Sequence, residues 1–245
     1  MRQDQALILS NAPIAKDVWK MVLKTPIGAE ARPGQFVEIT APGYFLKRPI
    51  SISEADENSL VLIYKVVGQG TKAMSGLEQD DVIDLFGPLG YGFPVEEAKG
   101  AITLIGGGVG VPPLVQTAKE LKKNGHEVQV VLGFNIKEDV FGLDAFAHLG
   151  IEPVIATMDG SMGEKGTVLD AMKNRNITPE TYMACGPLPM LKALQATPWK
   201  GWVSLESRMG CGIGACMGCV VLDHEGNSLR VCKNGPVFEA GKVVL

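Results

Sequence analysis

The feature that most constrains how this 245-residue chain folds lies near its C-terminus, where four of its five cysteines fall in the order Cys211-x4-Cys216-x2-Cys219-x12-Cys232. A compact loop that offers three thiolates, closed by a distant fourth, is the ligation pattern of plant-type 2Fe–2S clusters. The residues beside and among the ligands include Gly210, Gly212, Gly214, Ala215 and Gly218. Small residues let the backbone curl tightly and aim N–H groups at anionic sulfur. Four cysteines can also close a tetrahedral zinc shell, but zinc modules usually present two short Cys-x2–4-Cys pairs, and here there is one. Cys185 stands apart from the four. An odd number of cysteines, in a chain whose start carries no secretory leader, disfavours a disulfide framework.

Composition excludes other classes. Hydrophobic content of 46%, charged content of 20% and a net charge of -4 fit an ordinary globular protein and not a surface that tracks the phosphates of DNA or RNA. No basic leader precedes an apolar run, and no apolar run approaches the ~20 residues of a membrane span. A soluble, cytoplasmic protein is expected.

From Gln5 to about Pro88 the chain reads as short strands between Pro/Gly turns, such as Phe36 to Ile39 after Pro33-Gly34 and the apolar, β-branched run Leu60 to Val67. Strands at this spacing predict a small antiparallel barrel. Its one helical pattern, Thr71 to Leu77, opens with Thr71 as N-cap. Beyond Gly100 the rhythm changes. The apolar strand Ala101 to Ile105 leads into Gly106-Gly107-Gly108-Val109-Gly110-Val111-Pro112-Pro113, and Leu114, Val115, Ala118 and Leu121 follow at helical spacing. Strand and helix patterns then alternate to a last strand at Trp202 to Leu205, which predicts a parallel sheet with helices on both faces. The expected fold is a multi-part β and α/β protein: an antiparallel β-barrel domain over 1–98, a parallel-sheet α/β nucleotide domain over 99–205, and a small C-terminal 2Fe–2S module over 206–245.

The turn from Gly106 to Pro113 leaves a buried strand and opens a helix, so its N–H groups suit a pyrophosphate, although tight strand-to-helix packing alone also calls for glycine. Cys185-Gly186-Pro187 ends a later parallel strand, at the edge where open α/β sheets bind ligands. An isolated cysteine there can equally be a small buried hydrophobe. In the barrel, Arg48-Pro49-Ile50-Ser51 is read as placing a guanidinium and a hydroxyl on one strand face, and Gly68-Gln69-Gly70-Thr71 as a second place for phosphate oxygens. Taken singly, these are also an ordinary strand and an ordinary helix cap.

Their order is what carries information. Arg-Pro-x-Ser, Gly-x-Gly-Thr, Gly-Gly-Gly-Val-Gly and Cys-Gly-Pro in succession resemble the ferredoxin–NADP reductase superfamily across residues 1 to about 205. With Glu206 to Cys216 and the closing Arg230-Val231-Cys232-Lys233-Asn234-Gly235-Pro236-Val237-Phe238, the whole chain resembles the electron-transfer subunits of class 1B dihydroorotate dehydrogenases. The resemblance implies FAD along Arg48, Pro49, Ile50 and Ser51, with contacts from Ile63, Tyr64, Lys65, Gly70 and Thr71. It implies NAD(H) between Gly106, Gly107, Gly108 and Gly110 and the segment Cys185, Gly186 and Pro187. Cys211, Cys216, Cys219 and Cys232 would hold the cluster.

No side-chain acid or base is required, because the cofactors carry the chemistry. The partner implied is an FMN-containing dihydroorotate dehydrogenase catalytic subunit, in a heterotetramer with two of each chain, oxidising dihydroorotate to orotate in pyrimidine biosynthesis. Two alternatives stand beside this. One is the small subunit of a ferredoxin- or sulfide-linked NAD(P) oxidoreductase, where the first ligand is typically aspartate. The other is a nucleotide-binding module with a structural zinc tail and no turnover.

Overall fold

A computed structural model describes all of residues 1–245. The N-terminal part contains β1 (Arg2–Ala15), β2 (Val18–Lys24), β3 (Phe36–Ile39), β4 (Arg48–Ala55), β5 (Ser59–Lys65), the helix α1 (Gln69–Met74) and β6 (Val82–Leu89). The six strands close an antiparallel barrel in the order β1-β2-β5-β4-β3-β6. Period-two alternation fills it: in β5, Leu60, Leu62 and Tyr64 are buried while Val61, Ile63 and Lys65 face outward. Met74 of α1 joins the barrel core, so the helix plugs one end.

The α/β part follows as β7 (Ile102–Gly107), α2 (Pro112–Lys123), β8 (Val128–Phe134), α3 (Leu143–Ala147), β9 (Val154–Thr157), β10 (Glu164–Lys165), α4 (Val168–Asn174), β11 (Thr181–Cys185), α5 (Leu188–Gln195) and β12 (Lys200–Ser204). The expected alternation is present. After β7 the chain builds outward through β8 and β9, then returns to place β11 and β12 on the other side of β7. The strand order therefore reverses between β7 and β11, and a crevice opens at their carboxyl ends, the usual ligand position in such sheets.

The C-terminal part comprises β13 (Val220–Leu222), β14 (Ser228–Arg230), α6 (Val231–Asn234) and β15 (Val237–Glu239). It is less separate than a module over 206–245 suggests. β15 pairs antiparallel with β12, Val203 opposite Phe238, as the edge strand of the seven-stranded sheet. Cys219, Val231, Cys232 and Phe238 share one core with Leu89 of the barrel and Leu205 of the sheet. Three residues of strand beside a glycine and a proline give too short an alternation to be read from sequence. No helix is long and apolar enough to cross a membrane.

Candidate functional site

The crevice between β7 and β11 is a cleft of about 630 Å³. Gly107, Gly108, Gly186 and Pro187 line it together with Lys65 of the barrel. Gly110 does not line it but makes the two turns possible: a Cβ there would collide with the backbone of Cys185 and Gly186. Gly106 is likewise buried in the strand, wedged against Leu114, Val111 and Leu132. Cys185 lies behind the lining at 3% exposure, and burial above all, helped by Glu206, pushes its thiol up to about 12. It is therefore a protonated, packed side chain, while Gly186 and Pro187 form the wall. Two acids that sequence reasoning had not assigned a role, Asp139 and Glu206, also line the cleft. Its walls desolvate Glu206 enough to raise its pKa above the usual carboxylate value.

Residues 48–51 on β4 are half-buried. The register sets Val37 opposite Ile50 and Phe36 opposite Ser51, so Ile50 turns toward the barrel core and Ser51 toward the outer face. Arg48 and Ser51, three residues apart, thus lie on opposite faces and not on one, because side-chain direction alternates with period two. Pro49 shares the outer face with Ser51. The Arg48 guanidinium reaches across the barrel end to α1, where a Cβ on Gly70 would overlap it, and it donates to the Leu46 carbonyl. A cation beside the free N–H groups of a helix start is a cradle that fits a pyrophosphate.

Thr71 is not the N-cap. Gly68 takes that position, and the Thr71 hydroxyl sits three residues in, accepting from the backbone N–H groups of Val67 at 3.0 Å and Gly68 at 3.3 Å. On β5, Tyr64 points into the barrel with its hydroxyl donating to Asn11 Oδ1 at 3.0 Å, which leaves only its backbone for a ligand. Ile63 and Lys65 face outward.

The four thiols of the C-terminal part are gathered as two pairs. Cys219 and Cys232 are buried, at 3% and 2% exposure, with their sulfurs 3.2 Å apart. Cys211 and Cys216 lie on the outer loop. Cys211 Sγ accepts the N–H groups of Ala215 at 3.2 Å and Cys216 at 3.4 Å. Burial opposes ionisation of Cys211, yet the surrounding N–H groups of Cys216, Ile213 and Ala215 pull the thiol down to about 6. Cys232 is pushed the other way, up to about 12, by burial and the neighbouring Cys219. Two pairs, with N–H groups turned on sulfur, fit a binuclear cluster.

Between β4 and this loop lies Glu38 of β3, which sequence reasoning missed because a glutamate alternating with apolar residues reads as a solvent-facing position. It is 1% exposed, and neither carboxylate oxygen has a hydrogen-bond partner. It stands opposite Pro49 across the β3–β4 ladder, and a Cβ on Gly212 would meet its Cγ at 2.9 Å. Burial raises its pKa from 4.5 to about 7, with Lys47 and Arg48 opposing and Cys211 assisting. In that window the folded state holds a proton that the unfolded state has released. The stabilisation is complete below the unfolded value and is lost as pH rises through about 7, by about 3 kcal/mol in all. Glu38→Gln is expected to flatten that part of the stability-versus-pH curve in denaturant titrations. Identical slopes in the two proteins would show that this carboxyl does not carry the dependence.

Comparison with known proteins agrees with this arrangement. A family model described as the iron-sulfur cluster binding domain of dihydroorotate dehydrogenase B matches residues 206–244. The dihydroorotate dehydrogenase B (NAD(+)) electron transfer subunit of Fusobacterium nucleatum subsp. nucleatum is 44% identical over 257 residues, spanning 99% of both chains. That of Bacillus cereus strain G9842 is 44% identical over 259 residues, spanning 100% of both. A solved NADH-dependent reduced ferredoxin-NADP oxidoreductase superposes with a TM-score of 0.89 at 32% identity, covering 98% of this chain and 90% of that one. The flavohem-like FAD/NAD binding domain of a Vibrio cholerae nitric oxide dioxygenase shares only the fold, with a TM-score of 0.65 at 19% identity over 78% of this chain and 90% of that one. With near-complete coverage at this identity, and a matching cluster segment on a barrel and α/β frame, the chain belongs to the family of dihydroorotate dehydrogenase B electron transfer subunits.

Proposed function

We propose that the chain passes electrons between NAD(H) and an FMN-containing dihydroorotate dehydrogenase catalytic subunit, through FAD and a 2Fe–2S cluster, in the conversion of dihydroorotate to orotate in pyrimidine biosynthesis. One observation carries the reading: the strand order of the barrel. The nucleotide cleft touches β5 through Lys65, and the cluster loop rests on β3 and β6 through Glu38 and Leu89. β4, with Arg48 to Ser51, lies between β5 and β3. Three adjacent strands of ~4.8 Å spacing thus support a reading in which nucleotide, flavin and cluster lie side by side, in the sequence electrons would travel. Bound there, FAD would exchange a hydride with nicotinamide and single electrons with the cluster.

In this reading residues 1–98, 99–205 and 206–245 serve flavin, nucleotide and cluster respectively. Arg48, with the N–H groups near Gly70 and Thr71, grips the FAD pyrophosphate. Pro49, Ile50, Ser51 and Ile63, Tyr64 and Lys65 border the flavin, Tyr64 through its backbone. Gly106, Gly107, Gly108 and Gly110 with Cys185, Gly186 and Pro187 shape the nicotinamide cleft, Cys185 by packing. Cys211, Cys216, Cys219 and Cys232 ligate the cluster. The catalytic subunit docks over the exposed Cys216 side, where Ile213, Met217 and Val220 present apolar surface. Met209 and Val221, beside that surface, pack inward. A heterotetramer of two chains of each kind, in the cytoplasm, completes the proposal.

The test is anaerobic titration of the purified chain with NADH. FAD, iron and acid-labile sulfide should co-purify, and both the flavin and cluster absorbances should bleach. A chain that holds zinc and no flavin would overturn the reading. The ferredoxin-linked alternative keeps the same frame, but position 211 here is cysteine.

Cosubstrate choice follows from the cleft. Asp139 follows β8, where a carboxylate accepts from a ribose 2′-hydroxyl and repels a 2′-phosphate. NADH should exceed NADPH in kcat/KM with ferricyanide as acceptor. Asp139→Asn should narrow the ratio by about tenfold, equivalent to ~1.4 kcal/mol. An unchanged ratio would remove Asp139 from that role.

A further inference from the structure

The two thiol pairs are held by different parts of the chain. Cys219 and Cys232 belong to a rigid half, because β13 and β14 pair with Val220 opposite Arg230, and Val231 N–H donates to the Cys219 carbonyl at 2.9 Å. Cys211 and Cys216 sit on a loop with no regular element of its own. A side chain of the rigid half reaches across to the loop. Arg230, two residues before Cys232, donates from Nη1 to the Gly214 carbonyl at 2.8 Å. That carbonyl belongs to the Gly214–Ala215 peptide, whose other end, the Ala215 N–H, donates to Cys211 Sγ at 3.2 Å.

Arg230 and the Cys211 sulfur thus occupy opposite ends of one peptide. In a trans peptide the C=O and N–H point in opposite directions, so fixing the carbonyl aims the N–H. A cation on the carbonyl also draws electron density toward oxygen, which strengthens donation from the N–H. Gly214 is held for this geometry: its φ is +81°, and a Cβ would meet the stem of Lys233 at 2.6 Å. The guanidinium charge is not offset elsewhere, since none of the chain's ion pairs includes Arg230. Its Nε is buried without a partner.

We propose that Arg230 is a positioning residue for the cluster: by gripping the Gly214 carbonyl it aims and polarises the Ala215 N–H toward Cys211 Sγ, and so raises the reduction potential of the bound cluster. This rests on the cluster reading above. Reduction adds one negative charge to the cluster, and hydrogen bonds to ligand sulfur and nearby positive charge stabilise that form more than the oxidised one. The guanidinium and the peptide dipole it orients act in the same direction.

The experiment uses the full chain with its cofactors, comparing wild type, Arg230→Gln and Arg230→Lys in redox titrations followed by the EPR signal of the reduced cluster, with iron and acid-labile sulfide measured on each. Arg230→Gln is expected to shift the cluster midpoint to more negative potential and leave the flavin midpoint unchanged. Arg230→Lys, which keeps the charge, is expected to recover part of the shift. A wild-type midpoint in Arg230→Gln with full iron would overturn the role, as would equal midpoints in the two variants. Loss of iron from both variants would make Arg230 a structural clamp and also overturn it. Absence of acid-labile sulfide from the wild type would instead sink the cluster reading itself.

Discussion

Cys232→Ser and Cys219→Ser are each expected to abolish the cluster outright, with iron and acid-labile sulfide falling to background while FAD stays bound. These two sulfurs lie 3.2 Å apart in the core shared by the barrel, the sheet and the C-terminal hairpin, so nothing else can move in to replace a lost ligand. Serine offers a hard oxygen where iron–sulfur clusters call for thiolate. Cys211→Ser and Cys216→Ser should also lose the cluster, but with some residual iron, because the outer loop is exposed and can adjust. Cys185→Ser should keep full iron, since that thiol is buried behind the nucleotide cleft. Iron loss in the Cys185 variant, or retention in the Cys232 variant, would overturn the ligand assignment.

Arg48→Ala is expected to release FAD on gel filtration, with an affinity loss on the order of 2 to 5 kcal/mol, as when one partner of a hydrogen-bonded charge pair at an interface is truncated. The guanidinium is half-buried between β4 and the start of α1, over a glycine that leaves no room for a Cβ. Its removal would take away the one cation proposed for the pyrophosphate, while the barrel, whose core Arg48 does not enter, should keep its stability. Gly70→Ala should displace the guanidinium and weaken FAD in the same direction. Unchanged FAD retention in Arg48→Ala would exclude Arg48 from the pyrophosphate site.

Much of this architecture is legible from residue order alone. The cysteine spacing, the glycine turn after β7 and the Cys-Gly-Pro turn after β11 each leave a local signature, because tight turns and thiolate ligation restrict residue type over a few positions. What escaped was set by distant pairing. β15 joins the sheet through β12, more than thirty residues earlier. Glu38 looks like an ordinary outward-facing strand residue until the cluster loop is laid over it. Thr71 suits an N-cap by type, but the helix begins earlier, and its hydroxyl reaches back to Val67 and Gly68. The expectation that Arg48 and Ser51 share a face failed on strand geometry, since residues three apart point to opposite sides. Arg230 is visible in sequence only as part of a resemblance. Its reach to Gly214 is a tertiary fact.

As the electron-transfer half of a two-subunit enzyme, the chain should reduce orotate only with its partner. Expressing the chain alone and together with an FMN-containing dihydroorotate dehydrogenase catalytic subunit, then measuring NADH-dependent reduction of orotate, decides this. The expected result is a stable complex whose activity requires both chains and disappears with Cys232→Ser. Full orotate reduction by the isolated chain, or no association with the catalytic subunit while another acceptor protein binds and is reduced, would contradict it.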